Sequence, residues 1–329
     1  MKNAITDVPG IEVGQAQDID ALTGVTVVMC RKGAVAGVDQ RGGAPGTRET
    51  DLLNPINMVE KVDAVMLAGG SAFGLDAATG VMKYLEEQKI GFDVGVARVP
   101  IVPAAILFDL ALGSAVVRPD AGMGYRAAAS ASYQSPTEGN VGAGTGASVG
   151  KIFGNAGAMK SGIGTASLDI GGGIIVGALV AVNAYGDVVD PQTGKVLAGA
   201  RSINLGPFPL GSPGYFADTL ATMQTFAGRM IEGFAMRSNT VIGVVATNAK
   251  LTKPQASKMA QMAQDGLARA IRPAHTMLDG DTIFALSTGQ KKADVSLVGA
   301  FAAEVFALAC VRAVQSAHSA GGLPGLAGV

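Results

Sequence analysis

The apolar residues of this chain fall into many short runs, each broken by glycine, proline or a polar residue. Gly171–Val182 runs for 12 residues and stops at Asn183. Val99–Phe108 contains Pro100 and Pro103, and the C-terminal apolar segment is interrupted by Glu304 and Arg312. None reaches the ~18 residues of a membrane-crossing helix, although the mean hydropathy is +0.35. Such runs suit short elements buried on both sides, and no membrane partner is expected. Glycine supplies 47 of 329 residues, about twice the usual share. Small side chains let helices lie close on sheets.

Charge is sparse and balanced, with 25 Lys+Arg against 26 Asp+Glu. No basic run exists to neutralise phosphates, which argues against a nucleic-acid partner. Met1–Asp7 has no apolar stretch of a secretory signal. Cys30 and Cys310 sit in apolar runs and read as reduced buried thiols, so a cytoplasmic location is expected. Two histidines with no Cys-x-x-Cys and no His-Glu-x-x-His give no zinc pattern.

Strands are expected at Gly24–Cys30, Ala34–Asp39, Asp63–Ala68, Gly173–Asn183, Gly186–Asp190, Thr240–Thr247 and Asp281–Ser287. A turn at Ala184–Gly186 joins the fourth and fifth. Helices are expected at Leu75–Gln88, Phe216–Phe234 and Ala293–Ser316. Another runs from a cap at Thr252 to a stop at Pro273, with Pro254 in its first turn. Gly206–Tyr215 reads as an exposed loop. Alternating strands and helices predict layered α/β packing, and no linker divides the chain into domains before residue 200.

Two glycine loops invite chemistry and lack the partners for it. Gly69–Gly74 joins a strand to a helix, but Ser71 is not centred in Gly-x-Ser-x-Gly because Phe73 takes the second glycine position. Val141–Lys151 ends in Gly150–Lys151, yet a Walker loop needs Gly at 145 and Ser or Thr at 152, where Thr145 and Ile152 stand. A nucleotide-binding role for this loop is the reading furthest from an enzyme, and no cofactor is expected. His318 lies in a Gly/Ala-rich tail expected to be mobile. His275 follows Pro273 at a helix end and reads as solvated or capping.

An N-terminal nucleophile needs no histidine. A Ser or Thr hydroxyl is activated by its own α-amine, whose pKa of about 7.7–8 leaves part of it neutral. The chain must be cut to expose that amine. Arg237-Ser238-Asn239-Thr240, leading into a β-branched strand, has this form. From the residues alone, Thr240 reads as a plain strand opener, Lys151 as a surface lysine and Asn183 as a turn residue. Asp279-Gly280-Asp281 is likewise a solvated turn.

Asn239–Asn248 (NTVIGVVATN) resembles the self-cleavage segment of the DmpA-like L-aminopeptidase/D-esterase family, which includes β-peptidyl aminopeptidases, nylon-oligomer hydrolases and a pantetheine hydrolase. Ile5–Gly14, Asp39–Glu49, Leu67–Leu75 and His275–Thr282 are similar to further family motifs in the same order, so the resemblance spans nearly the whole chain. It implies a four-layer αββα sandwich, also that of ornithine acetyltransferase. It implies cutting between Asn239 and Thr240 into residues 1–239 and 240–329, held together without a covalent bond. Thr240 would be the nucleophile and Asn183 an oxyanion-side residue. Lys151 would stand near the nucleophile, and Asp279 and Asp281 would form an acidic pair on one strand face, holding the α-amine or Lys151.

The implied function is a self-processing, aminopeptidase-type hydrolase of small peptides, amides or esters acting through an acyl-enzyme. Its processed heterodimers would form a homo-oligomer. Acyl transfer of the ornithine-acetyltransferase type and hydrolysis of non-peptide amides such as nylon oligomers are the alternatives. One departure stands out. Some members place an oxyanion-holding tyrosine where this chain has Phe108, which has no donor.

Overall fold

The computed structural model describes residues 1–205, 208–210, 214–225 and 239–328. Its principal strands are β1 (Glu12–Asp18), β2 (Thr23–Gln40), β3 (Thr47–Arg48), β4 (Lys61–Ala68), β5 (Ala104–Ile106), β6 (Ile163–Asp169), β7 (Ile175–Asn183), β8 (Thr240–Ala249) and β9 (Thr282–Lys291). The principal helices are α1 (Ala77–Glu87), α2 (Ala121–Ala129), α3 (Lys253–Ala270) and α4 (Val295–Gln315). Among the described residues the nine strands pair in the order β6-β7-β8-β9-β2-β4-β5-β3, with β1 also on β2.

β2 belongs to two layers. Its first half pairs with β1 and β4; its second half pairs with β9 and keeps β4 only at Ala34 and Val35. Between Met29 and Ala34 the ladder to β4 slips, and Gly33 at φ 70° marks the bend, a conformation glycine adopts without strain. The sequence reads two strands at Gly24–Cys30 and Ala34–Asp39; the structure joins them through this bend.

Period-two burial sorts the side chains into three cores. From β7, Val176, Ala178, Val180 and Val182 join Val241 and Val245 of β8 beneath α3 and α4. Leu179 and Ala181 face the other way, with Ile242, Val244, Ala246 and Phe284, against Val28, Val65 and Leu67 of the other sheet half. Val25, Val27, Met29, Ala64 and Met66 pack under α1 and α2. Helices, sheet, sheet, helices: this is the expected αββα sandwich.

Local signals explain the helix ends. Thr252 N–H donates to Gln255 Oε1 at 2.9 Å ahead of α3. Asp294 Oδ1 accepts from Ser296 N–H at 2.8 Å and opens α4. α4 is the one helix among the described residues long and apolar enough to cross a membrane, but it is mostly buried, packed between α3 and strands β6 and β7. Glycine lets these layers touch. A Cβ on Gly266 of α3 would stand 2.1 Å from the Ala303 carbonyl oxygen of α4.

Several expectations change. Asp187–Val189 does not return on β7; it pairs with Val196–Ala198 and Ile271–Arg272. Of the helix expected at Phe216–Phe234, the described part is helical only at Thr219–Gln224, where the Asp218 side chain accepts from Ala221 N–H; residues 226–238 lie outside the described residues. Within the expected loop Gly206–Tyr215, Phe208–Leu210 pairs with Ile203–Leu205, and residues 206–207 and 211–213 are outside the description. The tail expected to be mobile is pinned. Asn140 Nδ2 donates to the His318 carbonyl at 2.8 Å, and His318 N–H returns a bond to Asn140 Oδ1 at 3.0 Å.

Gly266→Ala tests the close approach. Helix propensity alone favours alanine by about 1 kcal/mol. Forcing apart two packed backbones costs about 1–3 kcal/mol. A net loss is expected, read as a lower urea midpoint; an unchanged or raised midpoint refutes the packing argument.

Candidate active site

The antiparallel register of β7 and β8 sets Asn183 opposite Thr240. Asn183 shares the parity of Leu179 and Ala181, and Thr240 that of Ile242 and Val244. Both side chains therefore face the space between the two sheets, at the end of the central core. Thr240 is 4% exposed and Asn183 fully buried, so the continuous chain closes over them.

The Thr240 hydroxyl donates to the carbonyl oxygen of Asn239. Gly280 N–H donates to the same oxygen at 3.0 Å. A Cβ on Gly280 would come within 3.0 Å of Thr240 Oγ1 and 2.4 Å of the Ala44 carbonyl oxygen. Only glycine fits between the hydroxyl and the 41–46 loop, which is tied down by Arg41 N–H to Asp281 O and Ala44 N–H to Asp279 O.

The Asn183 carboxamide is held from both ends. Its Oδ1 accepts from Lys151 Nζ at 2.6 Å and from Ser148 N–H at 3.1 Å. Its Nδ2 donates to the Phe108 carbonyl at 2.9 Å. Phe108, whose ring offers no donor, thus enters the site through its main chain. Lys151 is buried, not the surface residue that its turn context allows, and donates also to the Asn183 carbonyl at 3.1 Å. Burial lowers its pKa to about 7, against the opposing pull of Asp279 and Asp109.

Asp279 and Asp281 lie just ahead of β9, which begins at Thr282, not within the strand as expected. Asp279 Oδ2 accepts from Thr276 N–H at 2.9 Å and Thr276 Oγ1 at 2.6 Å. Burial, and then the Asp281 charge, raise its pKa to about 6. Asp281 Oδ1 accepts from Val241 N–H at 2.8 Å, one residue past Thr240. Asp279 acts on Lys151 through space while the ammonium bonds Asn183. The structure thus brings Thr240, Asn239, Asn183, Lys151, Asp279 and Asp281 into one buried cluster.

His275, which sequence reading makes solvated or capping, pairs with Asp281 through Nδ1 and Oδ2 at 2.8 Å. Its main-chain N–H donates to the same oxygen at 3.1 Å. Its spacing of six residues from Asp281 matches no helix or strand period, so only the turn geometry, with His275 at φ 59°, reveals the pair. Gly280, Asp109 and Lys160 also escape sequence reading as members of this neighbourhood.

Lys151 links the site to stability. Unfolded, it binds its proton at the ordinary 10.5; folded, at about 7. Between these values the unfolded chain carries more protons, so stability rises with pH across this window. Lys151→Met should show a shallower rise in stability from pH 7 toward pH 10 than the parent, measured by urea unfolding. Equal slopes for the two proteins would contradict the buried, depressed lysine.

The sequence matches Peptidase family S58 over residues 3–326. It is 45% identical to an uncharacterised aminopeptidase of Mycobacterium tuberculosis, over 98% of this chain and 96% of that one. It is 29% identical to a 6-aminohexanoate-oligomer endohydrolase of a Kocuria species, covering 94% and 85%. The fold is similar to that of the L-aminopeptidase D-Ala-esterase/amidase of Ochrobactrum anthropi, described as a variant of the Ntn-hydrolase fold. There the TM-score is 0.70 at 21% identity, over 98% and 88% of the two chains. The chain belongs to Peptidase family S58 and is a hydrolase of peptide bonds.

Proposed function

We propose that this protein is a self-processing amide hydrolase whose nucleophile is Thr240. The observation that carries the reading is the Thr240 hydroxyl resting against the Asn239 carbonyl, which Gly280 N–H already polarises. Thr240 Oγ attacks the Asn239 carbonyl carbon, and Gly280 N–H stabilises the charge that gathers on the carbonyl oxygen. The hydroxyl proton passes to the departing Thr240 nitrogen, leaving an ester between Asn239 and Thr240 Oγ. Water then hydrolyses the ester, giving the Asn239 carboxylate and a free α-amine on Thr240. Lys151, with its proton affinity brought near neutrality, is the proton carrier closest in character to this task.

The same parts then serve a substrate. The Thr240 amine accepts the hydroxyl proton as Oγ attacks an amide or ester carbonyl, and gives it to the leaving amine. Asp281, which already accepts from Val241 N–H, and Asp279 hold the amine in place by charge-assisted bonds. Asn183 and Gly280 N–H face the oxyanion, each donor worth about 3–4 kcal/mol in comparable hydrolases. Water releases the acid from the acyl-enzyme. The mycobacterial relatives support an aminopeptidase-type substrate. The endohydrolase relatives favour non-peptide amides as a second reading. The processed heterodimers are expected to assemble further with copies of themselves.

Intact mass spectrometry of purified protein should find two chains, residues 1–239 and 240–329. Thr240→Ala should stay whole and lose hydrolysis of aminoacyl p-nitroanilides by at least about a thousandfold. Active protein of a single uncut mass, or an active alanine variant, defeats the proposal.

A further inference from the structure

The Gly69–Gly74 loop has no part in the chemistry at Thr240, and the Val141–Lys151 loop serves it through Ser148 N–H and Lys151, yet both pass one carboxylate. Asp109 follows β5 and is 4% exposed. Its Oδ1 accepts from Gly70 N–H at 2.7 Å and its Oδ2 from the Thr23 hydroxyl at 2.7 Å. A Cβ on Gly69 would sit 1.9 Å from Asp109 Oδ2, and one on Gly146 would sit 2.5 Å from Asp109 Cβ. The first loop is therefore glycine where it passes the carboxylate, and so is the second. A phosphate would find this cradle already filled by the protein's own anion.

Two features link this carboxylate to the site. The preceding residue, Phe108, presents its carbonyl to Asn183 Nδ2. The Asp109 charge also acts on two buried lysines, Lys151 and Lys160, raising the proton affinity of both against the effect of burial. Lys160 is fully buried and donates to the carbonyls of Ala147 at 2.7 Å and Ser161 at 2.6 Å. It thereby braces the loop that carries Ser148 N–H to Asn183. The charged groups acting on Lys151 are Asp279 ahead of β9, Asp109 after β5, and Lys160; Asn183 of β7 supplies its neutral acceptors.

We propose that Asp109 is a positioning residue of the Thr240 site: its buried carboxylate, anchored by Gly70 N–H and the Thr23 hydroxyl, fixes the aim of Asn183 through the adjoining Phe108 carbonyl, and it adds to Asp279 as a second counter-charge of Lys151. The inference rests on the reading of Thr240 as nucleophile, so its test needs a readout independent of turnover.

Asp109→Asn isolates the charge. An asparagine can accept from Gly70 N–H and donate to a Thr23 hydroxyl turned to accept, keeping the shape of the site. In protein labelled with 13C-lysine, the Lys151 resonance, identified with Lys151→Arg, is expected to titrate about one pH unit lower in the variant. Self-processing should slow, and kcat on an aminoacyl p-nitroanilide should fall about tenfold with KM within about twofold. Thr23→Ala keeps the charge but removes one anchor. It should leave the Lys151 titration in place while kcat falls about threefold.

An unmoved Lys151 titration in Asp109→Asn overturns the counter-charge, whatever the enzyme's activity. Should that variant fail to fold, a parental kcat in Thr23→Ala overturns the positioning role. Failure of the nucleophile reading appears elsewhere, as uncut parent protein or an active Thr240→Ala, with the lysine titration still reporting on Asp109.

Discussion

The carboxamide of Asn183 is the joint on which this architecture turns. It ends one central strand opposite the residue that opens the next. It accepts from a buried ammonium and a loop N–H, and it donates to a carbonyl carried by the other sheet half. Each of these groups would be costly to bury alone. Together they satisfy one another, and the satisfaction holds only if both sheet halves, the 141–151 loop and the segment after β5 are in register. The site is assembled by the same contacts that close the sandwich.

The interior around it is unusually charged for a chain with so little charge. Lys151, Lys160, Asp109, Asp187, Asp279 and Asp281 are all buried. Asp187 has a separate duty, binding Thr219 and Ala200 N–H groups away from Thr240. Groups of this kind rarely stabilise a fold as well as apolar side chains of similar volume. Their concentration beside a closed hydroxyl is the pattern expected where proton affinities are tuned for reaction.

Much of this was legible in the sequence, and the limits have physical causes. Continuous apolar, β-branched runs mark β7, β8 and β9 because each strand packs on both faces. The Thr252 cap marks α3 through local hydrogen bonding, whereas the Asp294 cap of α4 emerges only in the structure. The bend in β2 was not legible, since both halves satisfy a strand pattern and only the partners change. The partner of Asp187–Val189 is set by distant contacts. The cluster members Thr240, Asn183, Lys151, Asp279 and Asp281 entered through motif resemblance, while their residue types taken singly suit turns and surfaces. His275 and Asp109 act through tertiary hydrogen bonds that leave no period in the chain.

The strand order carries a last consequence. β8 and β9 sit side by side in the middle of the sheet, with β7 on one flank and β2 on the other. A break between Asn239 and Thr240 would leave the shorter piece dovetailed into the longer one along both edges. Neither piece could then keep its sheet without the other. Folding, a one-molecule event before the break, would need two molecules to find each other afterwards, so a severed copy that once unravels has no easy road back.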